Sequence, residues 1–218
     1  MEGVVGLSNQ IIQQLAERKE SWQSNSMTVY SAIQAAVPFE FQHSLNKKLA
    51  TIVNDNATLK SKIKRLQALT SEARQPTAAS VPCKKGCCAC CYIQVEMSQA
   101  EADLIGDAIG RPAVRLPPGN HTTSKDLLGR PNTPCPFLDD GACAIYEVRP
   151  VVCRNFAIAD IDNLLCSFEN MALAAAKDPR AINVPMLHAG PIFAAYRELN
   201  YAKKQSWADI RQYFPYNQ

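Results

Sequence analysis

The sequence predicts a mainly α protein: an irregular, cysteine-rich domain with a small hairpin, preceded by a helical N-terminal region. Three observations predict it. Apolar residues recur at helical spacing through the first 75 residues, where no cysteine occurs. All nine cysteines of the 218-residue chain fall between Cys83 and Cys166. Between the two parts, Gln75-Pro76-Thr77-Ala78-Ala79-Ser80-Val81-Pro82 combines two prolines with small residues, a composition that breaks helix. The expected organisation is therefore a helical region over 1–75, a linker over 76–82 and a cysteine domain over 83–218.

In the N-terminal region Ile11, Ile12, Leu15 and Ala16 follow Ser8, a capping residue, and predict an amphipathic helix. A second short helix is expected over 27–36, before Pro38. Leu45, Leu49, Ile52, Asn56, Leu59, Ile63, Leu66 and Thr70 are separated by alternating steps of four and three, the seam of a candidate coiled coil over 45–70. Asn56 would then be the buried polar residue that fixes register, and the helix would join two copies of the chain as a homodimer. A helix packed against others of its own chain shows the same spacing, so both readings stand at this point. Lys47, Lys48, Lys60, Lys62, Lys64 and Arg65 read as a solvated helix face.

Composition narrows the function classes. Hydrophobic residues at 47% and charged residues at 20% exclude a disordered or collagen-like chain. A formal net charge of +3 is too small to predict a nucleic-acid partner. Residues 1–10 lack the basic start and apolar run of a secretory leader, and no stretch is apolar enough to cross a bilayer. The expected compartment is the cytoplasm, with no membrane association. Thiols are kept reduced there, so nine cysteines point to metal rather than to disulfides.

In the second half, Ser98-Gln99-Ala100-Glu101 has the form of a capping box and predicts a helix ending near Gly110-Arg111-Pro112. Asp140-Gly141, flanked by short apolar runs within 136–146, predicts a tight hairpin that sets Cys143 just past the turn. Further helices are expected over 168–177, 191–203 and 206–213, the last capped by Ser206, and these are expected to enclose the metal centre.

Cys83-Lys84-Lys85-Gly86-Cys87-Cys88-Ala89-Cys90-Cys91 places five thiols within nine residues. Short Cys-x-x-Cys loops suit metals because both sulfurs can be aimed at one ion, with Gly86 and Ala89 leaving room for close approach. Two such pairs overlap here, Cys87 with Cys90 and Cys88 with Cys91. Neighbouring cysteines point in different directions, so the duplication suits two metal positions and leaves one cysteine redundant. Cys135, Cys143, Cys153 and Cys166 lie on separate loops that folding must bring to this group or to each other; eight ligands would allow two four-thiolate sites. Cys166, beside Leu164 and Leu165, also reads as a small buried hydrophobe.

Cys83-x3-Cys87-x2-Cys90-Cys91, then Cys135-Pro136-Phe137-Leu138, then Cys143-x-Ile145-Tyr146-Glu147-x-Arg149-Pro150-x2-Cys153-Arg154-x-Phe156 together resemble the YkgJ-type cysteine-cluster proteins. That family is described as a zinc- or iron-chelating domain, and flagellin lysine N-methylases are related to it. The resemblance covers roughly residues 82–166 and implies eight ligands: Cys83, Cys87, Cys90, Cys91, Cys135, Cys143, Cys153 and Cys166. Cys88 is an extra cysteine inside the motif.

Four thiolates around zinc, or around a four-iron cluster, leave a net negative centre. Arg149 and Arg154 would offset it and donate to sulfur, with Lys84 and Lys85 on the other side; the alternative for the arginines is an ion pair with Glu147 or Asp139. Zinc in closed four-thiolate sites would be structural. An iron-sulfur cluster would admit enzyme chemistry, since Cys83-x3-Cys87-x2-Cys90 has the spacing of the triad in radical S-adenosylmethionine enzymes. The chain shows no alternation of strands and helices from which the barrel of such an enzyme would be built. Two function classes follow: a module that binds zinc or iron, and an iron-sulfur-dependent protein-lysine methyltransferase using S-adenosylmethionine. A third is a coiled-coil adaptor whose cysteine domain recognises a partner protein. His43, His121 and His188 are scattered and read as surface histidines, with His121 in the loop over 116–123 between cysteine groups. No acid, base or nucleophile set identifies a catalytic residue.

Overall fold

The computed structural model of the chain describes residues 7–122, 133–187 and 189–216. It is mainly α, with short strands. Helix α1 (Asn9–Arg18) begins at Ser8, whose hydroxyl accepts the Ile11 N–H at 3.4 Å. Helix α2 (Trp22–Ala36) starts ahead of the expected 27 because Trp22 already packs beside Leu15 in an apolar cluster.

The coiled-coil expectation needs correction. Residues 45–70 form two helices, α3 (Phe39–Asn54) and α4 (Leu59–Arg74), folded against each other. Asp55 turns extended and Asn56, expected at a buried seam, is exposed in the connection. Thr58 restarts the helix, its side chain accepting the Ser61 N–H at 3.3 Å. Of the seam residues Leu49, Ile52, Ile63 and Leu66 are buried within the chain, sharing one core with Leu69, with Val151 of α6 (Val151–Asn155) and with Ile192, Ala195, Tyr196 and Leu199 of α8 (Gly190–Ala202). The four-three spacing belonged to two helices that present their ridges to a common core.

Directly after α4 comes a 3-10 turn, Gln75–Ser80, which packs against α2 and buries Thr77, where 76–82 was expected to be a linker. Helix α5 (Gln99–Ile109) starts at Ser98, whose hydroxyl accepts the Glu101 N–H at 3.3 Å, and ends at Gly110 in the left-handed conformation (φ 69°). The second half of the expected capping box is missing. Glu101 turns into the protein, fully buried, and accepts hydrogen bonds from Gln67 of α4 (2.9 Å), the Tyr196 hydroxyl of α8 (2.6 Å) and the backbone N–H of Val151 at the start of α6 (2.8 Å). The Ser98 N–H goes instead to the Tyr196 hydroxyl at 3.0 Å.

Residues 206–213 also differ from expectation. Ser206–Asp209 is a strand (β7) at the centre of a three-stranded sheet, antiparallel to β1 (Glu96–Ser98) and parallel to β2 (Gly119–Asn120). Only Ile210–Tyr213 is helical (α9), and its cap is Asp209, paired with Gln212 in a capping box, not Ser206. Burial of all four β7 residues between two partners outweighs a single serine cap. The hairpin forms as expected: β3 (Leu138–Asp139) pairs with β4 (Ala142–Cys143) across Asp140 and Gly141, both at positive φ (43° and 72°). Strands β5 (Ala157–Ile158) and β6 (Met186–Leu187) pair antiparallel, and α7 (Phe168–Ala175) packs against α1. Among the described residues no helix is long and apolar enough to cross a membrane.

Removing the Glu101 carboxylate strands three buried donors. Glu101→Ala is expected to lower stability by about 3 kcal/mol, read as a shift of the urea unfolding midpoint. Glu17→Ala, at an exposed position of α1, should stay within about 0.5 kcal/mol of the parent.

Candidate metal centre

The first cysteine loop owes its shape to Gly86, whose positive φ (91°) lets the chain reverse so that Cys87 N–H donates to Lys84 O at 3.0 Å. A 3-10 turn, Ala89–Tyr92, then carries Cys90 and Cys91, with the Cys91 N–H on Cys88 O at 2.8 Å. The second loop is tied to this one by Cys135 N–H donating to Cys91 O at 2.6 Å. Arg211, at the start of α9, clasps both. It donates to Cys91 O (2.9 Å), Ile93 O (3.3 Å) and Thr133 O (2.9 Å) while paired with Asp209 at 3.0 Å. Cys143 stands on β4, Cys153 in α6 just after Pro150 at its N-cap, and Cys166 at the end of the 3-10 turn Leu164–Cys166.

Folding brings the expected residues to one place. Cys83, Cys87, Cys90, Cys91, Cys135, Cys143, Cys153 and Cys166 all line a single cavity of about 260 Å3, and Cys88 is not among its lining residues. Cys166 is half-buried and faces this space, whereas its neighbour Leu165 is the buried hydrophobe. The cavity wall is completed by Ser71 and Arg74 of α4, Arg154 of α6 and Ile210 of α9; α7 and α8, expected to enclose it, do not line it. Helix α4 reaches the cysteines because α6 packs along it.

Backbone N–H groups already point at several sulfurs: Ala89 at Cys87, Phe137 at Cys135, Ile145 at Cys143 and Ile158 at Cys83. Each pulls its thiol toward the ionised form, and burial outweighs it. Cys135 is pushed up to about 11, Cys166 to about 12 and buried Cys153 well above the ordinary thiol value, with neighbouring thiols adding to the rise. Within the adjacent pair, the Cys91 thiol donates to the Cys90 sulfur. This lowers the Cys90 pKa and raises that of Cys91. Thiols held protonated in this way become thiolates once a cation enters among them.

The basic side chains divide their roles. Arg154 spends its donors on Arg149 O (2.9 Å), Ser71 Oγ (2.9 Å) and Glu147 O, so it braces the loop before α6 against α4. Arg149 lies 3.8 Å from the Tyr146 ring centroid, and its buried Nε has no hydrogen-bond partner. Among the described residues neither arginine forms an ion pair, including with Glu147 or Asp139. Burial lowers the Arg74 pKa, and the Arg149 guanidinium adds to this, while Cys83 opposes it. Lys84 lines the cavity and favours ionisation of Cys87, whereas Lys85 sits over the Tyr146 ring at 5.8 Å. The wall therefore holds an excess of positive charge and one orphaned donor beside eight thiols. A negative metal-thiolate centre would satisfy both, and soft thiolates suit zinc and iron-sulfur clusters.

The histidines stand elsewhere. His43 bonds Phe39 O within α3 (3.2 Å), His121 bonds Pro117 O (2.7 Å) away from the cavity, and His188 lies outside the described residues. Among the described residues no three His, Cys, Asp or Glu side chains are gathered closely enough to hold one ion as they are placed. Apart from the Cys90–Cys91 contact, the thiols are spread around the space they line.

Residues 82–172 match the family model CxxCxxCC, described as "Putative zinc- or iron-chelating domain". This segment is similar to that cysteine-cluster family. The match contains all eight cavity cysteines, and it leaves residues 1–81 and 173–218 uncovered. Comparison with curated proteins and with solved structures gives no match. Arg74 and Arg211 therefore lie outside the matched segment, and both were missed in the sequence. The Asp209-Ile210-Arg211-Gln212 capping box is the local signal that places Arg211 in the first turn of a helix, two residues after its cap.

Arg149→Gln is expected to weaken metal retention roughly 10-fold in competition with a chelator, at little cost to folding. Arg154→Gln should show the reverse balance, with lowered thermal stability in the presence of metal.

Proposed function

We propose that this protein holds zinc or iron through the thiolates of Cys83, Cys87, Cys90, Cys91, Cys135, Cys143, Cys153 and Cys166, and that the metal is the organising core of the cysteine domain. The observation that carries the reading is the gathering of these eight thiols, from five separate stretches of chain, on one cavity edged by Arg74, Arg149 and Lys84. Coordination by these thiolates returns folding free energy of about 10 kcal/mol or more for a structural zinc site. A reducing compartment such as the cytoplasm keeps the thiols free for metal.

A second reading is favoured by the extent of the cavity, which continues past the sulfurs to Gln75 and Ala78. A closed structural ion needs no such space. Under this reading the centre is an iron-sulfur cluster, S-adenosylmethionine binds beside it, and the chemistry is methyl transfer to a protein lysine. Arg74 would contribute a positive charge for the carboxylate of that cofactor.

Anaerobic purification followed by elemental analysis and a visible spectrum tests both. Stoichiometric zinc with no visible band supports the structural metal and sinks the methyltransferase reading. Iron with labile sulfide and a brown colour supports a cluster, and S-adenosylmethionine binding by calorimetry then becomes the deciding measurement. Protein free of thiolate-bound metal under these conditions overturns both. Cys88→Ser should keep the parent metal content, whereas Cys135→Ser should lose metal and unfold at lower temperature.

A further inference from the structure

Eight thiols are twice what one tetrahedral ion takes, and their surroundings separate them. Cys91, Cys135, Cys143 and Cys153 all pack on the same apolar core, that of Val95, Phe137 and Ile145. Cys83 packs on a different one, with Val29, Ala157 and Leu187, and takes the Ile158 N–H of β5 on its sulfur. Cys166 ends a turn whose Leu164 and Leu165 belong to a third cluster, with Leu15 of α1.

The charge neighbours of each thiol follow the same division. Cys166 feels Cys83, Cys87 and Cys90, and Cys83 feels Cys87 and Cys90. On the other side Cys153 feels Cys90 first and then Cys135 and Cys143, and Cys91 feels Cys90 first and then Cys135 and Cys153. Cys90 stands at the junction, felt from both sides. The backbone of Cys91, in contrast, is tied to the second loop by Cys135 N–H and Arg211, and its side chain packs in that core while Cys90 does not.

Resting on the metal-thiolate reading above, we propose that the eight cysteines form two four-thiolate centres, Cys83, Cys87, Cys90 and Cys166 in one and Cys91, Cys135, Cys143 and Cys153 in the other. The division falls between the adjacent Cys90 and Cys91. The Cys90 and Cys91 sulfurs meet on the 3-10 turn, so the two centres adjoin there and one short segment serves both. The first centre is tied to α1, α2 and the β5–β6 pair, and the second to the three-stranded sheet and the hairpin, so each would brace a different part of the fold.

The test uses full-length protein produced in cobalt-enriched medium, with cobalt per chain and the sulfur-to-cobalt absorption as readouts. Two cobalt equivalents per chain are expected, both with a four-sulfur spectrum. Cys166→Ser and Cys143→Ser are each expected to retain one four-sulfur equivalent, and the double variant none. A single equivalent in the parent protein overturns the division while leaving the metal reading intact, and that result does not depend on either variant folding. Absence of thiolate-bound cobalt in the parent overturns the metal reading and the division with it. X-ray absorption on the parent protein gives the sulfur number per cobalt: four supports two separate centres, and fewer overturns them.

Discussion

The carboxylate of Glu101 is buried where four helices meet, and it is the contact on which their arrangement depends. It is held by Gln67 from α4, Tyr196 from α8 and the first N–H of α6, while the residue itself sits in the first turn of α5. Burial drives its pKa up and these three donors drive it down, so the carboxylate is tolerable only when all of them are in place. That condition gives the junction its specificity. It also sets the cysteine domain, because α6, whose N-terminus the carboxylate receives, carries Cys153 and Arg154 into the cavity two and three residues later. The N-terminal helices thus reach the cysteines through one buried acid and one shared core.

Around the cavity the electrostatic problem is the opposite one. Thiols crowd each other and lose solvent, which holds them protonated, while Arg74 and Arg154 are lowered by burial and by Arg149 nearby. Each set is frustrated alone. A cation among the sulfurs converts them to thiolates, and the resulting negative centre adds counter-charge for the guanidinium groups. The backbone N–H groups aimed at Cys83, Cys87, Cys135 and Cys143 are already in position for that state.

The Asp209–Arg211 pair does for the loops what Glu101 does for the helices. Asp209 caps α9, accepts the Val95 N–H at 2.9 Å and orients Arg211, which in turn collects carbonyls from both sides of the second thiol group. Because β7 leads directly into this pair, a strand that pairs with β1 also anchors the cysteine loops. Loops without regular structure are held by carbonyl contacts to a side chain that is 10% exposed, which replaces the backbone pairing they lack.

Several features were legible in the sequence because their causes lie within a few residues. Ser8 and Ser98 cap helices through hydroxyls that reach three residues ahead, Asp140-Gly141 turns a hairpin through its own backbone, and Gly110 ends a helix by its freedom at positive φ. The concentration of thiols, and so the location of the candidate centre, was equally plain. What the tertiary structure decided involves partners distant along the chain. Periodicity in 45–70 is the same for one long helix and for two folded on a common core, and only the packing against α6 and α8 chose the second. Ser206 is locally a good cap, but pairing with strands more than eighty residues away makes that segment a strand. Glu101 had a local partner available and took three remote ones, since a buried carboxylate gains more from three donors than from one. The separation of Cys88 from the other four clustered thiols was open as well, because adjacent sulfurs in a turn are distinguished only by which side of the chain meets the cavity.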